Sequence, residues 1–315
     1  MKDFIIASWD FTQSTPSPNQ DDSPQLKPGI WFHCQRDHPD LPAWLTSLQI
    51  PVPLVHTLLA NDTRPRFEKI DEDVFLIIVR GINLNQDAKP DDMLSLRFLW
   101  YKGMLISTRK VSSRAVSMVL DLLKAGSGPK TLPAILSTLL LEVHQLIANF
   151  LDPIEDTIDE LDVLNIGNAK KEAENLNHNL HRLQRIRRYL KPQQYALQDL
   201  LNAKLPCLHE QRLIMKNCND VAQRTLESVE FYIEQINGFF IALSQHQSER
   251  MNKNTYLFSV VAGIFLPAGF LTGLLGVNIA GMPGTENPYA FLWFTLGLMG
   301  TIALEVLVLR MLKFI

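Results

Sequence analysis

Apolar and polar positions change their spacing twice along this chain. Up to about residue 110 they form short runs, rich in aromatic and β-branched residues and bounded by turn formers, a pattern that predicts strands. Phe4 to Phe11 is the first, Ile30 to Cys34 the second, and Val74 to Leu84, Leu94 to Tyr101 and Met104 to Thr108 follow. The Lys102-Gly103 step suits a hairpin turn, and the polar, proline-bearing stretch Thr12 to Gly29 reads as a loop. Short helices are expected at Leu41 to Leu48 and Val52 to Ala60. After Val111 strand signals stop, and long helices are predicted over Pro133 to Leu164, Ala169 to Leu190 and from Cys207 onward.

In the last of these helices, Ala222, Leu226, Val229, Ile233, Ile236, Phe240 and Leu243 recur at alternating steps of four and three. That 3.5-residue period is a coiled-coil seam, either between subunits or within an antiparallel hairpin of one subunit. The frame continues through Gln247, Arg250 and Asn254 with no break before Tyr256, so helix and membrane segment read as one rod.

Tyr256 to Leu275 is 20 residues without a charge, and Tyr289 to Leu309 is 21 residues with one, Glu305. About 20 apolar residues span a bilayer core, so both are predicted to be transmembrane rather than buried core helices. Arg250 and Lys253 precede the first span, Arg310 and Lys313 follow the second, and the loop between carries no Lys or Arg. The positive-inside rule then places both termini in the cytoplasm. The first span carries Ser259, Gly263, Pro267, Gly269, Thr272 and Gly273, small or helix-kinking residues that permit close packing in lipid. Two spans cannot enclose a pore, so conduction would require several copies, ringed on the face of Thr255, Ser259, Ala262, Leu266, Gly269 and Gly273. The expected organisation is an α/β domain over 1–130, a helical region over 131–206, a stalk over 207–255, spans over 256–276 and 289–312, and a loop over 277–288.

Overall composition changes this picture little. The hydrophobic content of 46% is ordinary for a soluble chain because the apolar residues concentrate after Tyr256. A net charge of −3 gives no global nucleic-acid footprint, and no nucleic-acid partner is expected. The three cysteines form no CxxC pair. The first residues, MKDFIIASWDF, lack the apolar core of a signal peptide, so the N-terminal part is expected to stay in the cytoplasm. No G-x-S-x-G, HExxH, Walker A or GxGxxG motif marks an enzyme, and no cofactor is expected.

Gly276-Val277-Asn278 ends the first span and is followed by a short loop and a last span. This arrangement resembles the CorA superfamily of two-span metal transporters, whose magnesium-transporting members carry Gly-Met-Asn there. The surrounding FLPAGFLTGLLGVNIAGMPG is similar to the ZntB-like zinc-transport branch, as are Thr63-Arg64-Pro65-Arg66, Ser107-Thr108-Arg109 and Arg187-Arg188-Tyr189-Leu190-Lys191-Pro192-Gln193. The resemblance runs from about Ile30 to the C-terminus. It implies a homopentamer in a bacterial-type inner membrane, with a cytoplasmic α/β funnel, a pore-lining stalk and an Asn278 ring at the outer mouth. The transported ion it implies is Zn2+, with Mg2+, Co2+ and Ni2+ as alternatives. The family often has Thr two residues after the span's proline; this chain has Gly269, so that hydroxyl ring is missing.

The chemistry agrees in part. An amide oxygen is a neutral, hard ligand that can contact a hydrated dication without stripping its shell. Asn278 also suits a helix C-cap, and Gly276 lets the backbone turn sharply. Zinc prefers His, Cys and carboxylate ligands, and the first span offers none. The pairs His178 with His181 and Cys207 with His209 are candidate metal ligands elsewhere. Asp152, Glu155, Asp156, Asp159, Glu160 and Asp162 form an acidic run, either a cation-attracting rim or a solvated helix face. Glu305 within a span is a candidate for proton coupling. The rival readings are a membrane-anchored enzyme and a non-conducting membrane scaffold or sensor.

Overall fold

The computed structural model describes residues 2–19, 26–159, 169–277, 284 and 286–311. The chain divides into two compact units, Met1–Phe239 and Phe240–Ile315.

The first unit is built on a seven-stranded sheet. In chain order the strands are β1 (Ile5–Asp10), β2 (Ser17–Pro18), β3 (Ile30–Gln35), β4 (Arg66–Asp71), β5 (Val74–Gly81), β6 (Leu94–Tyr101) and β7 (Met104–Arg109). Their spatial order is β2-β1-β3-β7-β6-β5-β4. Only β3 and β7 pair in parallel, at the centre; the other neighbours are antiparallel. Lys102 and Gly103 join β6 to β7 with φ of 50° and 76°, the left-handed pair that a two-residue hairpin turn requires. The run Val74 to Val79 is buried at every position, as expected of a strand covered on both faces. On one face sit α1 (Leu41–Ser47) and α2 (Val52–Leu59), with Trp44, Leu45 and Leu58 against Phe32, Ile78 and Ile106. α4 (Leu132–Asp159) packs against β5, β7 and α3 (Arg114–Lys124).

Several expectations are revised. β4 and α3 were not anticipated, and β2 is a two-residue pairing inside the predicted loop. α5 (Ala169–Asn202) continues past Leu190 and through Pro192, because Leu197 and Leu200 beyond it are buried. Proline removes one helical hydrogen bond but does not outweigh that packing. A short 3-10 turn, Pro206–Gln211, precedes α6 (Arg212–Leu275). α4 is also long and apolar enough to cross a membrane, yet half of its apolar window is buried inside the unit, which makes it a core helix. The coiled-coil pattern resolves in the same way. Ala222, Val229, Ile233 and Ile236 are buried within this one chain, so this stretch of the seam serves intrachain packing.

Two buried histidines tie the layers together. His144 on α4 donates from Nδ1 to the Leu140 carbonyl (2.6 Å), and its Nε2 accepts from Gln193 of α5 (2.8 Å). His33 on β3 contacts Ser107 Oγ on β7 at 2.8 Å. Burial, and for His33 also the charge of Arg109, pushes their pKa values from 6.5 down to about 4 and about 3. Both are neutral when folded, so the unfolded chain binds more protons between pH 6.5 and 4. Stability should therefore fall as pH drops through that window, by up to about 1.4 kcal/mol per pH unit per histidine. Thermal unfolding midpoints at pH 7.5 and 5.0 check this; a pH-independent midpoint would contradict it.

Candidate ion pathway

The second unit comprises the C-terminal part of α6 and α7 (Ala290–Met311). Both helices carry windows of mean hydropathy 2.0, and neither window is buried at all inside the chain. A helix that exposes Phe258, Phe265, Phe270, Phe291 and Trp293 in this way requires an apolar surrounding, and a helix satisfies its own backbone there. The two segments are membrane spans.

On α6, Thr255, Ser259, Ala262, Leu266, Gly269 and Gly273 follow steps of four and three, a strip roughly 80° wide at about 100° per residue. All six are exposed in the single chain. One of its two hydroxyls turns back onto the helix: Ser259 Oγ donates to the Thr255 carbonyl at 2.9 Å. Beside the strip, Thr272 Oγ1 donates to the carbonyls of Ala268 (3.1 Å) and Gly269 (3.0 Å). Gly263, Gly269 and Gly273 have open space where a Cβ would sit. The strip is thus smooth, neutral and free of strong ligands.

The helix ends at a position that needs glycine. The Gly276 N–H donates to the Thr272 carbonyl at 2.9 Å, and a Cβ on Gly276 would stand 2.9 Å from that same oxygen. Val277 follows, exposed. Asn278 lies outside the described residues.

The family described as CorA-like Mg2+ transporter protein matches residues 27–312. The chain belongs to the CorA-like family. Within it, the zinc transport protein ZntB of Vibrio parahaemolyticus is 40% identical over 99% of this chain and 97% of its own. The divalent cation transporter CmaX of Pseudomonas aeruginosa is 35% identical over 87% and 83%. Among solved structures, full-length CmaX superposes with a TM-score of 0.81 at 29% identity, covering 99% of both chains. The cytoplasmic domain of V. parahaemolyticus ZntB gives 0.74 at 34% identity, covering 78% of this chain and 99% of that one.

In this CorA-like chain the remaining candidates stand apart from the strip in sequence and setting. Glu305 sits on α7, half-buried; its Oε2 is shielded and has no hydrogen-bond partner. Among the described residues, none of the cations flanking the spans, Arg250, Lys253 and Arg310, forms an ion pair with it. Asp152, Glu155 and Asp156 are exposed on α4. Asp152 and Glu155 line a cavity of about 270 Å³ between α4 and α6, together with Arg224. The Asp159 side chain, Glu160 and Asp162 lie outside the described residues. His178 and His181 are both exposed on α5. Cys207 and His209 share the 3-10 turn; burial and then Asp73 push the Cys207 thiol up to about 11, which disfavours the thiolate that zinc binds. Among the described residues no three His, Cys, Asp or Glu side chains come together as a metal cluster.

Proposed function

We propose that this chain carries divalent cations across a membrane, with zinc as the physiological substrate. The single observation that carries the reading is the near full-length likeness to a zinc transport protein, joined to Gly276-Val277-Asn278 at the end of the first span. Transport, rather than catalysis, is what a neutral helical strip ending in an amide serves. The working form is a homo-oligomer, a homopentamer by family resemblance, because two spans in one chain cannot surround a pore. α6 lines the path, Asn278 oxygens form the outer mouth, and a neutral mouth suits an ion that keeps its water shell. Both termini are cytoplasmic in this reading, and the membrane is the inner membrane. The flanking cations support that orientation, as does the likeness of the first unit to a region known as a cytoplasmic domain.

Direction follows from electrostatics. A dication gains about 4.6 kcal/mol per 100 mV on entering a negative interior, twice the single-charge value. Import therefore needs no further energy source. Glu305, an unpartnered carboxyl in the second span, is the group through which protons couple to that import. A magnesium, cobalt or nickel substrate is the second reading, favoured by the family description and by the broader divalent-cation role of CmaX.

The test is uptake into liposomes loaded with metal-sensitive dyes, run in parallel for Zn2+, Mg2+, Co2+ and Ni2+ at two external pH values. Zinc should enter fastest and faster at acidic pH, and Glu305→Gln should remove the pH dependence while leaving zinc entry measurable. Magnesium outrunning zinc would favour the second reading. Unchanged pH dependence in Glu305→Gln would remove the coupling role.

A further inference from the structure

α5 and α6 are joined by a short turn, and the turn leaves a cavity. The Ala203 N–H still donates to the Asp199 carbonyl at 2.9 Å, but Lys204 takes a φ of 47°, in the left-handed region that ends helices. Glycine or asparagine usually fills such a position; here it is a lysine. Leu205 is extended, and Pro206, whose fixed φ suits a first helical position, opens the 3-10 turn that runs into α6. Ser137 Oγ on α4 donates to Gln211 Oε1 at 3.2 Å and anchors the far end of that turn. Between the end of α5, the turn and the first residues of α6 lies a cavity of about 570 Å³.

Its lining has two parts. The apolar part consists of Leu200, Leu205, Leu208 and Met215, all buried, with Leu201 half-buried. The polar part is basic: Lys204, His209 and Arg212, all exposed. Among the described residues none of these three side chains has an ion-pair or hydrogen-bond partner. No carboxylate and no aromatic ring lines the cavity. Glu210, beside His209, is exposed and outside the lining. Asp73, whose charge reaches Cys207 in the same turn, already accepts from the Trp100 indole at 2.7 Å.

Each part restricts the occupant. The volume falls within the ~300–1,000 Å³ of small-molecule sites, which combine an apolar lining with a few placed polar groups. Leucine and methionine side chains adapt to a flexible chain, while a planar ring would find no aromatic face to stack on. Charge of one sign beside low-dielectric walls repels cations and draws in anions, and the Arg212 fork matches the two oxygens of a carboxylate. An anion without an apolar body would leave the leucines in water. A neutral chain would leave the basic groups unpaired.

We propose that this cavity binds an aliphatic carboxylate, with its chain on Leu200, Leu205, Leu208 and Met215 and its headgroup held by Lys204, Arg212 and His209. The site belongs wholly to the first unit, so it stands or falls separately from the zinc-transport reading.

The test uses full-length protein in detergent-free nanodiscs of zwitterionic phospholipid, with empty discs subtracted. Calorimetric titration compares decanoate, octanoate, decanol and decylammonium. A ten-carbon carboxylate bearing a terminal diazirine is photo-crosslinked in parallel, and its attachment is mapped by mass spectrometry. Decanoate should bind once per chain, and octanoate about tenfold more weakly, because two methylenes leave the apolar lining. Decanol should bind at least about fivefold more weakly for want of two ion pairs, and decylammonium should not bind. The label should fall within residues 200–215 and be displaced by decanoate. Lys204→Gly should weaken decanoate while leaving the thermal midpoint equal or higher, because glycine is at ease at that φ. A lysine serving the turn alone would leave affinity unchanged. Lys204→Glu combined with Arg212→Glu should reverse the preference to decylammonium; both side chains are exposed, so the double variant should fold. Equal binding of decanoate and decanol, a label confined to the spans, or unchanged decanoate affinity in the double variant would overturn the proposal. So would absence of decanoate binding by the folded oligomer, the result expected if a second copy of the chain covers the cavity.

Discussion

Gly276→Ala should abolish most transport while leaving the soluble unit folded. The β-carbon would stand 2.9 Å from the Thr272 carbonyl oxygen, which already accepts the Gly276 N–H. That oxygen belongs to the backbone, so relief requires the last turn of α6 to shift. Overpacking of this kind costs about 1–3 kcal/mol, and Asn278, two residues on, inherits the displacement. Zinc uptake should fall at least about tenfold, since about 1.4 kcal/mol already corresponds to that factor. Gly297→Ala on α7 is the control: a Cβ there meets nothing within 4 Å, and uptake should be retained. Equal uptake by Gly276→Ala and wild type would show that the end of α6 does not shape the path.

The largest stability effect is expected at Gln193, which is fully buried. Its Oε1 accepts from the Arg80 N–H (2.6 Å), and its Nε2 donates to the Arg80 carbonyl (3.1 Å) and to His144 Nε2 (2.8 Å). The last β4–β5 pair is Arg66 with Ile78, so Arg80 lies beyond the end of β4 and the Gln193 amide takes the place of a strand partner. Gln193→Ala would orphan three buried groups at about 1–3 kcal/mol each. A net loss of about 3 kcal/mol should lower the thermal midpoint by about 6–12 °C in a unit of this size. Replacing Tyr195, exposed on the same helix, should change it little. A Gln193→Ala midpoint within a degree or two of wild type would contradict this account of how α5 is joined to the sheet.

How much of this could be read in advance depended on what carried each signal. β5 to β7 and both spans were legible because long apolar runs leave few alternatives. β4 was not: RFEKID carries four charges in six residues and becomes a strand only by pairing along the edge of β5. α3 had a readable signature, with Ala115, Val116, Val119 and Leu123 at helical spacing before Gly126, whose φ of 71° ends it. The same periodicity that predicted a seam could not say whether a second chain or α4 would cover it, because a 3.5-residue repeat describes one helix and not its neighbour. At the candidate site, the end of the helix at Gly276 was legible from the length of the apolar run, whereas the need for glycine at 276 is a matter of one interatomic distance.

The measurement that bears most directly on the central claim is zinc flux into liposomes by wild type and Asn278→Ala, each confirmed as a folded oligomer. Wild type should admit zinc and the variant should lose at least about 90% of that flux, a ratio of ten corresponding to about 1.4 kcal/mol. Equal zinc flux through both proteins would contradict the assignment of the ion pathway to the end of the first span.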